Sequence, residues 1–104
     1  MRLSIIIPAY NAGKYIRECL DSVIGQDLPK EEYEIIVIND GSSDETGAIV
    51  EEIASGQGNI RLFDQENQGP SVARNYGMKL AKGEYLMFVD GDDTVERNCI
   101  RWLI

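Results

Sequence analysis

Four short runs of apolar, often β-branched residues recur along the chain and predict strands. They are Leu3–Ile7, Glu34–Ile38, Ile60–Phe63 and Glu84–Val89. Their nearly continuous apolar character is typical of strands that are buried on both faces. The first strand is expected to stop at Pro8, which lacks the backbone N–H that a strand ladder needs.

Segments with helical spacing separate these strands. Between Ala12 and Gly25 the apolar residues fall three or four positions apart, which predicts an amphipathic helix. A second helix is expected after the second strand, where Ser42 and Glu45 fit a capping box. Both helices would pack an apolar stripe onto the sheet.

Two further helices follow in the second half of the chain. Gly69-Pro70 predicts a helix start, because proline is favoured at the first helical position, and Gly83 predicts its end. Thr94–Ile104 has the pattern of a last helix. The buried stripe of the Gly69–Gly83 helix is expected to contain Val72, Ala73, Tyr76, Gly77, Leu80 and Ala81.

The alternation of strands and helices predicts an α/β fold in one domain spanning residues 1–104. Right-handed crossovers would place helices on both faces of a mostly parallel sheet, giving a three-layer α/β/α arrangement. A Rossmann-like half would have the strand order 3-2-1-4. Because the apolar pattern still continues at Ile100–Ile104, we expect the chain to be a truncated part of a longer protein.

Composition removes several classes of function. The net charge of −8, from 18 acidic and 10 basic residues, disfavours a nucleic-acid backbone as the main partner. Since the chain has no histidine, zinc sites built from Cys and His and a histidine general base are excluded. Cys19 and Cys99 form no spaced disulfide framework and are predicted to be reduced thiols.

The start of the chain and its apolar runs bear on its location. The start has one positive charge and too short an apolar run for a secretory signal peptide. No apolar run approaches the roughly 20 residues of a membrane span. We therefore expect a cytoplasmic protein, or one at the inner face of the membrane.

Polar residues follow the predicted strands, at the edge where open α/β sheets bind ligands. In the order 3-2-1-4, Asp40 and Asp90 would flank the first strand with their anchors roughly 10 Å apart. A nucleoside diphosphate could bridge that distance, with its base near Asp40 and its phosphates near Asp90 and Asp92. The exit of the first strand consists of Pro8, Ala9, Tyr10 and Asn11.

A diphosphate in this place would need a source of positive charge. The chain has neither a P-loop motif nor a G-x-G-x-x-G after a strand. Asp90-Gly91-Asp92 instead offers carboxylates to Mg²⁺ or Mn²⁺, and Gly91 allows a close approach of backbone and ligand. A bound cation would also offset the repulsion between the neighbouring carboxylates.

Each of these segments also has a structural interpretation. Residues 90–93 could form a polar turn whose Asp93 caps the next helix, and residues 39–43 could do the same for the second helix. Tyr10 could simply pack over the sheet edge. Arg74 and Asn75 could belong to a solvated helix face. Single motifs do not decide between these interpretations and a ligand site.

Three blocks of sequence in this order resemble the N-terminal part of a family 2 glycosyltransferase with the GT-A fold. They read SIIIPAYNAGKYIRECLDSVIGQ, YEIIVINDGSSDET and NQGPSVARNYGMKLAKGEYLMFVDGDD, and they cover almost the whole chain. The resemblance implies transfer of a sugar from a nucleoside-diphosphate-sugar to the hydroxyl of a glycan or lipid-linked acceptor. It also implies a divalent cation, Mn²⁺ or Mg²⁺, and a peripheral association of the full-length protein with the membrane.

The resemblance implies a role for each matched residue. Asp40 would accept a hydrogen bond from the base, and Arg74 would lie near the ribose or diphosphate. Asp90 and Gly91 would border the ribose and phosphates, while Asp92, together with Asp90, would hold the metal. The base and ribose site would be lined by Pro8, Ala9, Tyr10 and Asn11.

The catalytic general base is expected beyond Ile104, in an acceptor-binding half, and the resemblance suggests inversion at the anomeric carbon. The 104-residue chain alone is therefore expected to bind nucleotide and metal weakly and to transfer sugar poorly or not at all. Within the chain no residue is assigned as a catalytic base.

Three other functions fit a small α/β domain less well. A phosphate-accepting receiver would need an acidic pair where the first strand ends, but Pro8-Ala9-Tyr10 stand there. A nucleotidyltransferase would need a glycine-rich basic loop near the start. A nucleotide- or metal-binding module without catalysis is the alternative that keeps the same residues.

Overall fold

The computed structural model describes residues 1–96. The elements are β1 (Leu3–Ala9), α1 (Ile16–Ile24), a short 3-10 helix (Lys30–Glu32), β2 (Tyr33–Asp40), α2 (Thr46–Ala54), β3 (Ile60–Gln65), α3 (Pro70–Leu80) and β4 (Tyr85–Phe88). The four strands are parallel and lie in the order β3-β2-β1-β4. The predicted order 3-2-1-4 is confirmed.

Alternate residues of β1 and β2 face two separate apolar layers. On one face they pack against α1 and α2, and on the other against α3, which confirms a three-layer α/β/α fold. Gly77 lies so close to the sheet that an added Cβ would collide with Ile6. The larger cluster includes Leu3, Ile5, Ile7, Ile16, Leu20, Val23, Ile35, Val37 and Val50. The smaller cluster contains Ile36, Ile38 and Ala73, with Phe63, Tyr76, Leu80 and Ala81 against it.

The first strand does not stop at Pro8 as predicted but runs on to Ala9. Its register shows why a proline is tolerated here. The Val89 amide donates to the Ile6 carbonyl at 3.1 Å, and the Gly91 amide donates to the Pro8 carbonyl at 3.1 Å. The missing N–H of Pro8 therefore faces the β4 side, where β4 has already ended, so the ladder to β2 loses no hydrogen bond.

Two helix starts were predicted too early. The helix expected from Ala12 begins at Ile16, and the helix expected after Ser42 begins at Thr46 without the Ser42–Glu45 capping box. The Ala12 amide is bound to Thr46 Oγ1 at 2.9 Å. Ser42 Oγ accepts from the Asn11 amide instead of capping α2. Hydrogen bonds between two distant loops thus replace the local caps that the sequence favours.

The fourth strand, predicted to be buried, lies at the edge of the described sheet. Tyr85, Leu86 and Phe88 are exposed, although Val89 just beyond the strand is buried. The described helices pack mainly over β1, β2 and β3, so three of the four β4 side chains stay exposed, while Met87 packs against the larger cluster. Val72 is also exposed, contrary to prediction, because it borders a surface hollow at the end of β3, whereas the next residue, Ala73, is buried against the sheet.

The predicted last helix falls mostly outside the described residues. Residues 94–96 are not helical, and the rest of that helix, with Cys99, lies beyond residue 96. Within the described part of the chain, none of the helices has both the length and the apolar character that crossing a membrane requires.

A buried ion pair ties the amino-terminal ends of the strands together. Glu34 is 3% exposed. Its carboxylate accepts from Ser4 Oγ at 2.6 Å, from Arg61 Nη2 at 2.6 Å and from the Lys82 amide at 2.7 Å. Ser4 Oγ also accepts from the Gly83 amide at 2.8 Å. The network therefore joins β1, β2, β3 and the segment that precedes β4.

Candidate functional site

A cleft opens at the carboxyl ends of β1, β2 and β4, where the sequence predicted a ligand. Its cavity has a volume of about 330 Å³. All nine residues singled out from the sequence line this cleft, and Ala12, Tyr15 and Pro70 complete the lining. The nine are Pro8, Ala9, Tyr10, Asn11, Asp40, Arg74, Asp90, Gly91 and Asp92.

Asp40 forms the β2 side of the cleft and is only 3% exposed. Its Oδ1 accepts from Gln65 Nε2 and from the Gln68 amide, both at 2.8 Å, and its Oδ2 accepts from the Gly69 amide at 3.1 Å. Burial raises the pKa of this carboxyl, but the three hydrogen bonds outweigh burial and hold the pKa below its ordinary value. Asp40 is therefore charged at neutral pH and organises the loop between β3 and α3.

Asn11 joins the loop after β1 to the loop after β2. It has a left-handed backbone with φ of 47°, which asparagine tolerates better than most residues. Its backbone N–H donates to Ser42 Oγ at 2.9 Å, and its side-chain Oδ1 accepts from the Ser43 backbone N–H at 2.8 Å. Asn11 lines the cleft as predicted, yet much of its hydrogen-bonding capacity serves to hold two loops together.

Asp44 and Thr46 extend this contact and were not recognised in the sequence. Asp44 Oδ2 accepts from the Gly13 amide at 3.0 Å, while its Oδ1 accepts from the Thr46 amide at 3.0 Å and from the Thr46 hydroxyl. The bond from the Thr46 hydroxyl is the main cause that holds the pKa of Asp44 below its ordinary value. The Asp-x-Thr pattern is typical of a local turn. The Gly13 amide, which is 31 residues away from Asp44, leaves no signal in the sequence around Asp44.

Three carboxylates meet on the β4 side of the cleft. Asp90, Asp92 and Asp93 are exposed, and each offers an oxygen within 4.8 Å of the others. Such an all-oxygen set fits a hard divalent cation such as Mg²⁺ or Mn²⁺, which would also reduce the repulsion between the charges. Asp93, predicted as a helix cap, is thus close enough to share a cation with the two predicted ligands.

Arg74 supplies positive charge to the same side of the cleft. It projects from α3, and its Nη2 lies 3.2 Å from Asp90 Oδ1. Both side chains are about as exposed as ordinary surface groups, at 36% and 51%. Exposed pairs of this kind are weak. Asp90 can therefore leave Arg74 to bind a cation at a low cost in free energy. Arg74 can likewise leave Asp90 to bind an anionic ligand.

Gly91 allows residues 90–96, which we call the acidic segment, to pack closely against β1. Its amide donates to the Pro8 carbonyl at 3.1 Å. A Cβ at this position would lie 3.1 Å from Ala9 Cβ and 3.3 Å from Ile16 Cδ1, which is tighter than ordinary contacts. The sequence interpretation gave Gly91 a role in ligand approach. In the structure its small size is needed first by the protein itself.

Cys19 lies buried behind the acidic segment and is expected to resist alkylation in the folded chain. Burial, and then the charges of Asp93, Asp92 and Asp90, raise the pKa of its thiol to about 12. Very little of the thiol is therefore ionised at pH 8. Iodoacetamide treatment followed by peptide mass mapping should leave Cys19 unmodified in the native chain and modify it in guanidinium chloride. Rapid native alkylation would contradict the packing described.

Comparison with known proteins places this chain among enzymes of one family. The sequence model described as Glycosyl transferase family 2 matches residues 4–104. Poly(ribitol-phosphate) beta-glucosyltransferase of Bacillus spizizenii is 41% identical over 105 residues, which cover 98% of this chain and 17% of that protein. The uncharacterized glycosyltransferase EpsJ of Bacillus subtilis is 48% identical over 93 residues, or 89% of this chain and 26% of that protein.

Two solved structures share the fold. Staphylococcus aureus TarS 1-349 in complex with UDP-GlcNAc matches with a TM-score of 0.92 and 39% identity, covering 99% of this chain and 30% of that one. The mannosyltransferase PcManGT from Pyrobaculum calidifontis, in complex with GDP-Man and Mn²⁺, matches with a TM-score of 0.88 and 29% identity, over 93% of this chain and 29% of that one. The chain spans a third or less of the length of these relatives.

Proposed function

Since the chain belongs to glycosyl transferase family 2, we propose that its cleft binds a nucleoside-diphosphate-sugar together with a divalent cation. The observation that carries this proposal is the arrangement of one cleft with two ends. A buried acceptor, Asp40, lies on one side of β1, and a cation-compatible acidic cluster with Arg74 lies on the other. The relatives solved with UDP-GlcNAc and with GDP-Man and Mn²⁺ support the same ligand class.

The base would lie at the Asp40 end of the cleft. Three donors of the described chain occupy three of the four lone-pair directions of the Asp40 carboxylate. The remaining direction, on Oδ2, can accept one N–H from a base. Because both oxygens are already fixed by the loop between β3 and α3, this acceptor is held in place before the nucleotide binds. Pro8, Ala9, Tyr10 and Asn11 would border the base and ribose.

The diphosphate would lie at the other end, near Arg74 and the acidic cluster. The cation, Mn²⁺ or Mg²⁺, would be held by Asp92 together with Asp90, and it would supply charge neutralisation for the leaving diphosphate. The Arg74 guanidinium can donate two parallel hydrogen bonds to phosphate oxygens, which no carboxylate of the cluster can do. In the absence of phosphate Arg74 instead neutralises Asp90, so the cleft does not carry three uncompensated charges.

The chain is proposed to be the nucleotide-sugar-binding portion of an inverting glycosyltransferase. The relatives are about three to seven times longer than the matched region, as covered shares from 14% to 33% show. The acceptor site and the general base that deprotonates the acceptor hydroxyl are accordingly assigned to sequence outside residues 1–104. A glycan acceptor is supported by the poly(ribitol-phosphate) that the names of two relatives contain.

A titration of the 104-residue chain with UDP, GDP, CDP and ADP tests the proposal. We expect one of the four to bind at least about tenfold more tightly with Mn²⁺ than with EDTA, a difference of about 1.4 kcal/mol. Isothermal titration calorimetry measures both affinities. The nucleoside monophosphate with the same base serves as the control, since it lacks the diphosphate and should gain much less from Mn²⁺.

The outcomes separate a metal-dependent nucleotide site from simpler alternatives. If a nucleoside diphosphate binds equally well with Mn²⁺ and with EDTA, the result would indicate a nucleotide-binding module and would contradict the metal site. Failure of all four nucleotides to bind would contradict the proposed function as a whole. The base that binds best would also show which donor the Asp40 end of the cleft selects.

A further inference from the structure

Three polar side chains follow one side of α1 and continue past its end. Cys19 and Ser22 lie in the helix, and Gln26 follows the last helical residue, Ile24. Their spacing of three and four positions places them on the same face. Cys19 is fully buried and Gln26 is 6% exposed. We call these three residues the α1 polar stripe.

Each member of the α1 polar stripe binds the backbone of residues 90–96. The Cys19 thiol donates to the Asp90 carbonyl at 3.5 Å. Ser22 Oγ accepts from the Val95 amide at 3.0 Å. Gln26 Nε2 donates to the Glu96 carbonyl at 2.8 Å. These bonds set the path of the main chain, not the identity of its side chains.

Two further hydrogen bonds orient the stripe itself. The Ser22 hydroxyl donates to the Cys19 carbonyl at 2.7 Å, so its lone pairs are left for the Val95 amide. Gln26 Nε2 also donates to the Ser22 carbonyl at 3.0 Å. Because the amide side chain of Gln26 spans α1 and the acidic segment, its position is determined by both. Such a network loses more than one contact when a single member is removed.

The acidic segment is therefore fixed on both sides of its carboxylates. On the β1 side, the Gly91 amide is bound to the Pro8 carbonyl. On the α1 side, the bonds to Ser22 and Gln26 hold residues 95 and 96. Asp92 and Asp93 lie between these anchors and are exposed. The carboxylates thus project from a short segment whose two ends are attached to rigid elements.

We propose that Ser22 and Gln26 are positioning residues that hold segment 90–96 so that Asp90 and Asp92 can share one divalent cation. This role rests on the proposed function of the cleft. Among the described residues, Ser22 and Gln26 belong neither to the lining of the cleft nor to the cluster of carboxylates. Their effect is to limit the conformations of the Asp90 and Asp92 carboxylates before a cation binds, which lowers the entropy lost on binding.

The test compares Ser22→Ala and Gln26→Met with wild type in the 104-residue chain. Electron paramagnetic resonance of free Mn²⁺, in the presence of the nucleoside diphosphate that binds wild type best, gives the cation affinity. We expect each variant to bind Mn²⁺ about tenfold more weakly. Binding of the nucleotide in EDTA should be unchanged. Amide hydrogen exchange should accelerate within residues 90–96 and remain as in wild type elsewhere.

Ser55→Ala is a matched control for the serine variant. Ser55 Oγ donates to the Glu52 carbonyl at 2.7 Å, the same bond to the third residue before it that Ser22 makes. Ser55 follows α2 and has no contact with the acidic segment, so its loss should leave Mn²⁺ affinity unchanged. Ser22→Thr retains the hydroxyl and should restore the affinity that Ser22→Ala loses.

The outcomes distinguish this role from the proposed function. Wild type that shows no Mn²⁺-dependent nucleotide binding would overturn both. Wild type that binds, with Ser22→Ala and Gln26→Met binding Mn²⁺ equally well, would overturn the positioning role alone. Unchanged amide exchange at residues 90–96 would do the same, because the stripe would then not hold the segment. Failure of Ser22→Thr to recover would show that the hydroxyl is not the active feature.

Discussion

Replacing Glu34 with glutamine is expected to lower the free energy of unfolding by about 3 kcal/mol. Breaking one half of a buried ion pair costs roughly 3–5 kcal/mol, and the 35% exposure of the Arg61 side chain favours the lower value. Glutamine keeps the shape of Glu34 but presents an NH₂ group to donors that need an acceptor. Small domains have a total stability of about 5–15 kcal/mol. Urea unfolding at pH 7 measures the loss.

Glu32→Gln is the matched control, because it makes the same chemical change two residues away. Glu32 Oε2 lies 4.0 Å from Arg2 Nη1, and the two side chains are 41% and 44% exposed. Exposed pairs contribute about 0–1 kcal/mol. Similar losses in both variants would contradict the importance of the buried network. A much larger loss in Glu34→Gln would attribute the stability to the carboxylate that joins three strands.

The pH dependence of the same variant tests the physical cause. Burial raises the pKa of Glu34, but hydrogen bonds from Ser4, the Lys82 amide and Arg61 lower the pKa further, to below the ordinary 4.5. A carboxyl with a depressed pKa stabilises the fold above its unfolded pKa, and this contribution is lost as the pH falls through the folded pKa. The difference between wild type and Glu34→Gln should therefore shrink below about pH 4.5. A constant difference would point to packing instead.

The order of elements was predictable because it depends on local pattern and on general rules of chain connection. Runs such as Glu34–Ile38 and helix starts such as Gly69-Pro70 carry their signal within a few residues. The starts of α1 and α2 were not predictable in this way. They depend on bonds such as that between the Ala12 amide and Thr46 Oγ1, whose partners are 34 residues apart. Long-range contacts override local caps, and the sequence pattern does not contain them.

The site shows the same division between position and role. The parallel sheet alone predicted that the residues at the ends of β1, β2 and β4 would meet in one cleft, and the cleft contains them together with Arg74 of α3, which the resemblance implied. The hydrogen-bond partners of these residues could not be predicted from the sheet. Asn11 and Asp40 form most of their hydrogen bonds with neighbouring loops. Nothing within the helix predicted over residues 12–25 marks Ser22, because its partner, the Val95 amide, is 73 residues away.

Replacing Asp92 with asparagine is expected to abolish most of the gain that Mn²⁺ gives to nucleoside diphosphate binding, at least about tenfold in affinity. Asp90 is already paired with Arg74, so Asp92 is the member of the predicted Asp-x-Asp pair for which no such cationic partner is seen among the described residues. Asparagine keeps an oxygen but loses the charge that a divalent cation needs. Calorimetric titrations with Mn²⁺ and with EDTA should show a loss only in the former.

Asp64→Asn separates ligation of a cation from the general negative field of a chain with a net charge of −8. Asp64 is exposed and lies near the carboxyl end of β3, at the opposite side of the sheet from β4. This variant therefore removes the same charge from a similarly exposed position. Exposed charges separated by more than a Debye length of about 8 Å are largely screened at physiological salt. Asp64→Asn should therefore retain the Mn²⁺ dependence. Equal losses in both variants would assign the cation to diffuse attraction, and an Asp92→Asn variant that keeps the dependence would remove Asp92 from the metal site.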